Sequence, residues 1–137
     1  MPDNLKIAIA IATKSHQGQF RRDGVTPYIT HPEAVANAFP PKNDGQRAVA
    51  WLHDVLEDTN TTAEDLLQAG ISLWVVQAVQ YLTKTPGEDY LAYLARVKAS
   101  GIAADVKVQD ILHNLGDDPS PKQVKKYVKA LKFLLAP

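Results

Sequence analysis

The stretch AWLHDVLEDT, residues 50–59, constrains the fold of this chain more than any other, because it sets ionisable side chains into an apolar segment. His53, Asp54, Glu57 and Asp58 directly follow a run of apolar residues. Burying a single unpaired carboxylate costs several kcal/mol. The chain must therefore fold so that a counter-charge, a metal ion or open solvent faces these side chains.

Size and composition indicate one globular domain. The chain has 137 residues, of which 45% are hydrophobic, enough to bury a core without covalent cross-links, and we expect a single domain over residues 1–137. The sequence contains no cysteine, which excludes a disulfide framework, cysteine-ligated zinc and thiol catalysis. A reducing cytoplasm is the expected location.

Neither a membrane nor a nucleic acid is expected as a partner. The N-terminal apolar run is interrupted by Lys6 and lacks a preceding basic region, and no segment approaches the roughly 18 apolar residues that span a bilayer. The net charge is zero, from 15 basic and 15 acidic residues, which argues against nucleic acid. Residues 120–137 hold five lysines and no acid. This pattern indicates a solvated helix face, with anion binding as the alternative.

Helix signals recur along the chain, whereas strand signals are nearly absent. Ile7, Ile9 and Ile11 alternate with alanines as they would in a strand, but alanine favours helix, and we predict a helix there. The result is an all-α domain of about seven helices. We expect the long loop at residues 18–30 to have a functional role, because long loops in compact domains often do. Predicted helix starts are Asp44, Thr61 or Thr62, Ser72, Thr85 with Glu88, and Ser120 with Pro121, and Gly101 is predicted to end the helix that begins near Thr85.

A helix over residues 45–57 would bring the polar side chains together. Glu57 lies four residues after His53, and Asp58 lies four after Asp54, so these residues form two neighbouring stripes. Such a geometry indicates a divalent metal held by His53 and Asp54, with the other two acids beside it. The alternative is an ordinary solvent-facing acidic stripe.

Two further polar residues lie in apolar surroundings. His31 precedes a predicted helix, and Asp110 lies within AADVKVQDILHNL. Each alone is more typical of a buried polar group with its own hydrogen bond, or of a helix cap. Together with His53 and Asp54 they form a two-histidine, two-aspartate set. Such a set suits manganese, iron or zinc and leaves positions open for water and a phosphate.

Four motifs occur in the order and approximate spacing of a known family. RRDGVTPYITHP, AWLHDVLEDT, YLTK and VKVQDILHNL resemble the HD-domain phosphohydrolases, specifically the hydrolase part of the RelA/SpoT alarmone enzymes. The resemblance covers residues 5–115 approximately. It implies a compact helical HD-domain fold and removal of the 3′-pyrophosphate from guanosine tetra- or pentaphosphate, giving GDP or GTP and pyrophosphate.

The resemblance also implies roles for individual residues. Glu57 and Asp58 match the catalytic acidic pair. One divalent ion, most often manganese, would be bound by His31, His53, Asp54 and Asp110.

Substrate contacts are implied in the same way. His16 and His113 lie in family motifs and are expected to pack against the site or support its ligands. The residues implied to face the phosphorylated nucleotide are Arg21, Arg22, Lys84, Asn114 and Tyr127.

Other functions remain open on the sequence alone. The same domain could act on an adenosine alarmone, a nucleoside monophosphate or a phosphorylated dinucleotide, or serve as a non-catalytic nucleotide sensor. The presence of both Glu57 and Asp58 favours the hydrolase. We expect a small single-domain hydrolase, with a homodimer as one oligomeric option.

Overall fold

The computed structural model describes residues 3–137, so the predicted domain boundary at residue 1 lies outside the described residues. Within this range the chain forms nine helices and no β-strand, which confirms the all-α prediction. The loop over residues 18–30 contains an isolated bridge between Phe20 and Pro27. The helices are α1 (Asn4–Ser15), α2 (Thr30–Asn37), α3 (Asp44–Leu52), α4 (Val55–Asp58), α5 (Ala63–Gln68), α6 (Leu73–Leu82), α7 (Tyr90–Lys98), α8 (Gly101–Leu115) and α9 (Pro121–Leu135).

Three predicted helix starts are confirmed. Thr62 forms a capping box with Asp65 at α5, in which each side chain accepts a hydrogen bond from the other residue's backbone N–H. Ser120 forms the same arrangement with Gln123 at α9. Ser72 is the residue before α6. The starts at Thr62 and Ser120 were readable because the capping side chain and the donor it satisfies lie within three residues of each other.

The predicted start and end of α7 are wrong. Asp89 caps this helix by accepting from the backbone N–H of Ala92. Glu88 instead accepts hydrogen bonds from Thr85 and pairs with Arg96 at 2.9 Å. Gly101 is the first residue of α8 and not the end of α7. Glu88 therefore links this turn to Arg96, eight residues away in sequence, and does not cap α7.

The helix predicted to run through residues 45–57 is broken at His53. Asn43 precedes α3, with Asp44 as its first residue, and α3 ends at Leu52. The backbone N–H of His53 donates to the carbonyl of Ala50, a tight three-residue turn. The short helix α4 then begins at Val55. His53 and Asp54 consequently occupy a turn between two helices.

Helix α3 lies at the centre of the fold and packs against α1, α2, α6 and α8. Its contact with α1 uses small side chains, because Ala8 and Ala12 of α1 are fully buried. The helix predicted around Ile7, Ile9 and Ile11 is confirmed as part of α1. Ala48 and Leu52 of α3 are likewise inaccessible to solvent. Small residues on α1 thus allow close approach to the helix that leads into His53.

Helix α9 packs on α7 and α8 through Ala130 and Leu134, which are buried. The ammonium of Lys98 donates to the carbonyls of Phe133 and Ala136 at 2.7 and 2.8 Å and so holds the last turn of α9. In the range that the structure describes, no helix combines the length and apolar character needed to cross a membrane.

We expect Ala12→Leu to destabilise the protein by about 1–3 kcal/mol, because the larger side chain overpacks the contact between α1 and α3. Ala10→Leu is the matched control, since Ala10 is an exposed position on the same helix. Urea unfolding of both variants measures the difference in free energy. Equal stability of the two variants would contradict the close packing of α1 on α3.

Candidate metal centre and active site

The turn between α3 and α4 fixes the orientation of His53. Its Nδ1 donates to the carbonyl oxygen of Ala50 at 2.6 Å, so the proton of the neutral ring lies on Nδ1. The Nε2 atom is buried and has no hydrogen-bond partner. An imidazole whose Nδ1–H donates to a carbonyl and whose Nε2 is bare is arranged to bind a metal.

Four predicted ligands converge from separate elements. His31 comes from the first turn of α2, Asp110 from α8, and His53 and Asp54 from the turn between α3 and α4. The Nε2 of His31 lies 2.8 Å from Oδ1 of Asp110 and 3.7 Å from Oδ2 of Asp54. The corresponding distances from Nε2 of His53 are 3.5 and 3.0 Å. Each imidazole therefore has its Nε2 within 3.7 Å of both carboxylates.

Nearby positive charges lower the pKa of both carboxylates in this cluster. Although burial favours the neutral acid, the charge of a protonated His53 lowers the pKa of Asp54 to about 2. Burial is likewise outweighed at Asp110, whose pKa the charges of Lys107 and His53 hold well below its usual range. Burial also opposes charge on His53, but the two carboxylates raise its pKa well above the ordinary value. The cluster thus favours positive charge at its centre.

The donor set fits a divalent transition metal. Ligand atoms about 2.1 Å from an ion lie roughly 3 Å apart when their bonds are at right angles, which is near the nitrogen–oxygen distances seen here. The available ligand atoms of His31, His53 and Asp54 all lie within 4.8 Å of one another. Two imidazoles and two carboxylates suit manganese, iron or zinc.

Two residues that support this cluster were missed by the sequence interpretation. The Tyr28 hydroxyl donates to Oδ2 of Asp54 at 2.5 Å, and its pKa is raised by burial and by the Asp54 charge, so it keeps its proton. Lys107 contacts Oδ2 of Asp110 at 2.9 Å. Burial would lower the pKa of this lysine, but Asp110 raises it well above the usual value. A lysine in apolar surroundings three residues before an aspartate was the available signal.

The predicted catalytic acids lie on α4, next to the cluster in sequence. Oε1 of Glu57 accepts from the backbone N–H of Lys84 at 2.7 Å, which ties α4 to the segment after α6. The backbone N–H of Asp58 donates to the carbonyl of Asp54. Burial, followed by the charges of Asp54 and Glu57, raises the pKa of Asp58 to about 6. Asp58 therefore changes protonation near neutral pH.

A cavity of about 320 Å³ opens beside Glu57 and contains both Lys84 and Tyr127, two of the predicted substrate contacts. The ammonium of Lys126 lies 4.4 Å from the centre of the Tyr90 ring. Burial, followed by the neighbouring positive charges of Lys107 and Lys84, lowers the pKa of Lys126. We call this the lysine cavity; its lining is Glu57, Lys84, Tyr90, Tyr93, Lys107, Lys126 and Tyr127. Its excess positive charge favours an anion.

The other predicted contacts lie around Asn114. The guanidinium of Arg21 donates to Oδ1 of Asn114 at 3.1 Å and to Asp117 at 2.6 Å. Asn114 in turn donates to Oδ1 of Asp110 at 3.1 Å. Arg22 bonds to the carbonyl of Asp117 and to the side chain of Gln123. Arg21 is therefore partly neutralised by an acid of the chain itself, a pairing that the sequence interpretation did not foresee.

His16 and His113, which were expected to pack against the site or support its ligands, lie close to the cluster. The ring of His16 lies 4.9 Å from that of Tyr28, and its Nδ1 bonds to Gln19. His113 contacts His31 directly, with 2.7 Å between their Nδ1 atoms.

Comparisons with known proteins point to one group. No family model matches the chain. A guanosine-3′,5′-bis(diphosphate) 3′-pyrophosphohydrolase of Haemophilus influenzae is 52% identical over 58 residues, which is 41% of this chain and 8% of the relative. A probable enzyme of the same name from Synechocystis is 31% identical over 144 residues, covering 95% of this chain and 19% of the relative. The chain thus spans less than a fifth of the length of these curated relatives.

A solved structure extends the likeness to the whole fold. It is described as a metazoan ortholog of SpoT that hydrolyzes ppGpp and plays a role in starvation responses. It matches with a TM-score of 0.77 and 22% sequence identity, covering 97% of this chain and 85% of its own. Fold and sequence comparisons agree: over nearly its whole length the chain is similar to a relative named as a 3′-pyrophosphohydrolase, and its fold is that of the SpoT ortholog.

Proposed function

We propose that this chain hydrolyses guanosine 3′,5′-bis(diphosphate) and its pentaphosphate analogue. Water adds to the phosphorus of the 3′-pyrophosphate that is nearest the ribose, and the bond between that phosphorus and the ribose 3′ oxygen breaks. The attacking water loses a proton, the ribose oxygen takes one up to become a hydroxyl, and pyrophosphate leaves. The products are pyrophosphate and GDP or GTP. The names of the relatives support this choice of substrate.

One observation carries the proposal more than any other. Asp110 of the cluster formed with His31, His53 and Asp54 contacts Lys107, which lines the lysine cavity, and also Asn114, which accepts a hydrogen bond from Arg21. A substrate phosphorylated at two positions has negative charge at two places, and this arrangement provides cations at both. A singly phosphorylated nucleotide would use only one of them.

We propose manganese as the ion for the cluster, held by the two histidines and two aspartates. A divalent ion there would supply Lewis-acid polarisation of a phosphate oxygen. The chain's contribution is to hold the four donor atoms close together and to keep both carboxylates ionised. Tyr28 donates a hydrogen bond to Oδ2 of Asp54, and Lys107 donates one to Oδ2 of Asp110. These bonds restrict the rotation of the two carboxylates.

The remaining chemistry is assigned to the acids on α4. Glu57 lines the lysine cavity, and Asp58 follows it on the same short helix. We propose that this pair orients the attacking water and accepts its proton, with a proton returned to the leaving oxygen. Lys84 and Tyr127 bind phosphate oxygens in the cavity, while Asn114 and the arginines contact the nucleoside end.

The protein is expected to bind about one divalent ion per chain, and removal of the ion should lower its thermal stability. An ion at 100 times its Kd stabilises the folded state by about 2.7 kcal/mol. His53→Ala and Asp54→Asn should abolish this gain, whereas Glu64→Gln, at an exposed acid on α5, should retain it. Elemental analysis and melting curves with and without chelator measure both effects. Full metal content in both cluster variants would exclude the ligand assignment.

Glu57→Gln and Asp58→Asn are expected to retain metal and fold but to lose turnover. General acid–base groups contribute about 10²- to 10⁴-fold to rates, and kcat should fall by that range. Pyrophosphate release from guanosine tetraphosphate with excess manganese is the assay, and Glu64→Gln again serves as the control. Turnover within a few-fold of wild type in both variants would reduce the pair to a solvated acidic stripe.

Lys84→Met is expected to lower kcat/KM for guanosine tetraphosphate by about 10- to 100-fold, because a hydrogen bond to a charged group contributes about 1.5–3 kcal/mol. Lys125→Met is the matched control, since Lys125 is an exposed lysine on α9 outside the lining of the cavity. Wild type should also prefer this substrate to guanosine monophosphate.

The same assay separates two failures. A wild-type preference for the monophosphate would overturn the alarmone assignment and leave a metal-dependent phosphohydrolase. Equal loss in the two lysine variants would remove the assigned role of the lysine cavity.

A further inference from the structure

His31 and His113 face each other through like atoms. Their Nδ1 atoms are 2.7 Å apart, and their ring centres are 4.9 Å apart with a tilt of 31°. His31 is 1% exposed, and its other nitrogen, Nε2, points toward Asp110. His113 lies on α8, three residues after Asp110. One helix therefore contacts both ring nitrogens of His31.

A contact between two ring nitrogens holds one proton. Two protonated nitrogens would repel each other, and two bare nitrogens would have no hydrogen bond between them. If Nε2 of His31 is to bind a metal it must be bare, because a metal ligand must be deprotonated. The proton of the neutral His31 ring then lies on Nδ1 and is donated to His113. His113 must accept it, so its own proton lies on Nε2.

The two candidate histidine ligands are therefore oriented by different acceptors. His53 donates to a backbone carbonyl, which accepts in every state of the protein. With a metal at Nε2, His31 would donate to a side chain that can adopt either of two tautomers. In residues 3–137, the hydrogen bonds of His31 include no other partner for Nδ1. The orientation of His31 thus depends on a residue outside the set of ligands.

We propose that His113 is a positioning residue that accepts the Nδ1 proton of His31 and so presents the bare Nε2 of His31 to the metal centre. The proposal rests on the proposed function only in taking the four-residue cluster as a metal site. It does not depend on which nucleotide is hydrolysed. It assigns His113 a role that packing alone would not give it.

The first test measures affinity for the metal alone. His113→Phe keeps a ring of similar size but removes the acceptor, and should weaken manganese binding by about 10- to 100-fold, the usual effect of losing such a partner. His113→Asn restores an acceptor oxygen and should recover most of the affinity. Leu112→Ala, at an exposed neighbour on the same helix, should bind as wild type. Equilibrium dialysis with manganese chloride gives the dissociation constants, and circular dichroism checks the fold.

The second test uses the wild-type chain and so does not depend on the folding of a variant. With ¹⁵N-labelled protein loaded with zinc, long-range proton–nitrogen correlation identifies the protonated nitrogen of each ring. The expected result is a proton on Nδ1 of His31 and on Nε2 of His113. A proton on Nδ1 of His113 would overturn the proposal.

The outcomes separate this inference from the proposed function. Wild-type manganese affinity in His113→Phe, or no recovery in His113→Asn when both variants are folded, would overturn the positioning role even if the enzyme hydrolyses the alarmone. A chain that shows the affinity pattern but releases no pyrophosphate would support the positioning role and overturn the function. If the wild-type chain binds neither manganese nor zinc, both the positioning role and the proposed function are overturned.

Discussion

The structure depends on a buried carboxylate, Asp110, and a partly buried one, Asp54, which face two buried imidazoles. Asp54 and Asp110 would be costly to enclose without positive charge, and their surroundings provide it from several elements. Lys107 lies on the same helix as Asp110 and pairs with its second oxygen. Tyr28 approaches Asp54 from the loop that precedes α2. The helices must therefore assemble correctly around the cluster for either acid to be tolerated.

The sequence predicted what neighbouring residues determine. Alanines in α1 favoured a helix over a strand, and the caps of α5 and α9 each lie three residues from the groups they satisfy. The four candidate ligands were also found, because polar groups in apolar segments are rare. What escaped prediction depends on distant partners. Asp117 is 96 residues from Arg21, and nothing local to either residue reveals their pairing.

The sequence interpretation chose His53 and Asp54 as candidate ligands on the assumption of a continuous helix, but the helix is broken at His53. A continuous helix would place Glu57 one turn after His53 on the same face. In the structure, His53 and Asp54 lie in a tight turn and the acids lie on α4, so each pair belongs to a different element. Spacing in sequence indicated which residues lie near one another, whereas their division into a turn with the candidate ligands and a helix with the acids required the tertiary structure.

Helix α4 has only four residues, too few to be stable by itself. Distant segments secure it: the side chain of Gln19 donates to the carbonyl of Asp58, and the backbone N–H of Lys84 donates to Glu57. Such an element gains its order from its surroundings and opens when they loosen. Local unfolding of the segment after α6 would release Glu57 without breaking a hydrogen bond of the cluster. The pair of acids is thus coupled to the least regular parts of the chain, and the ligands to its most buried part.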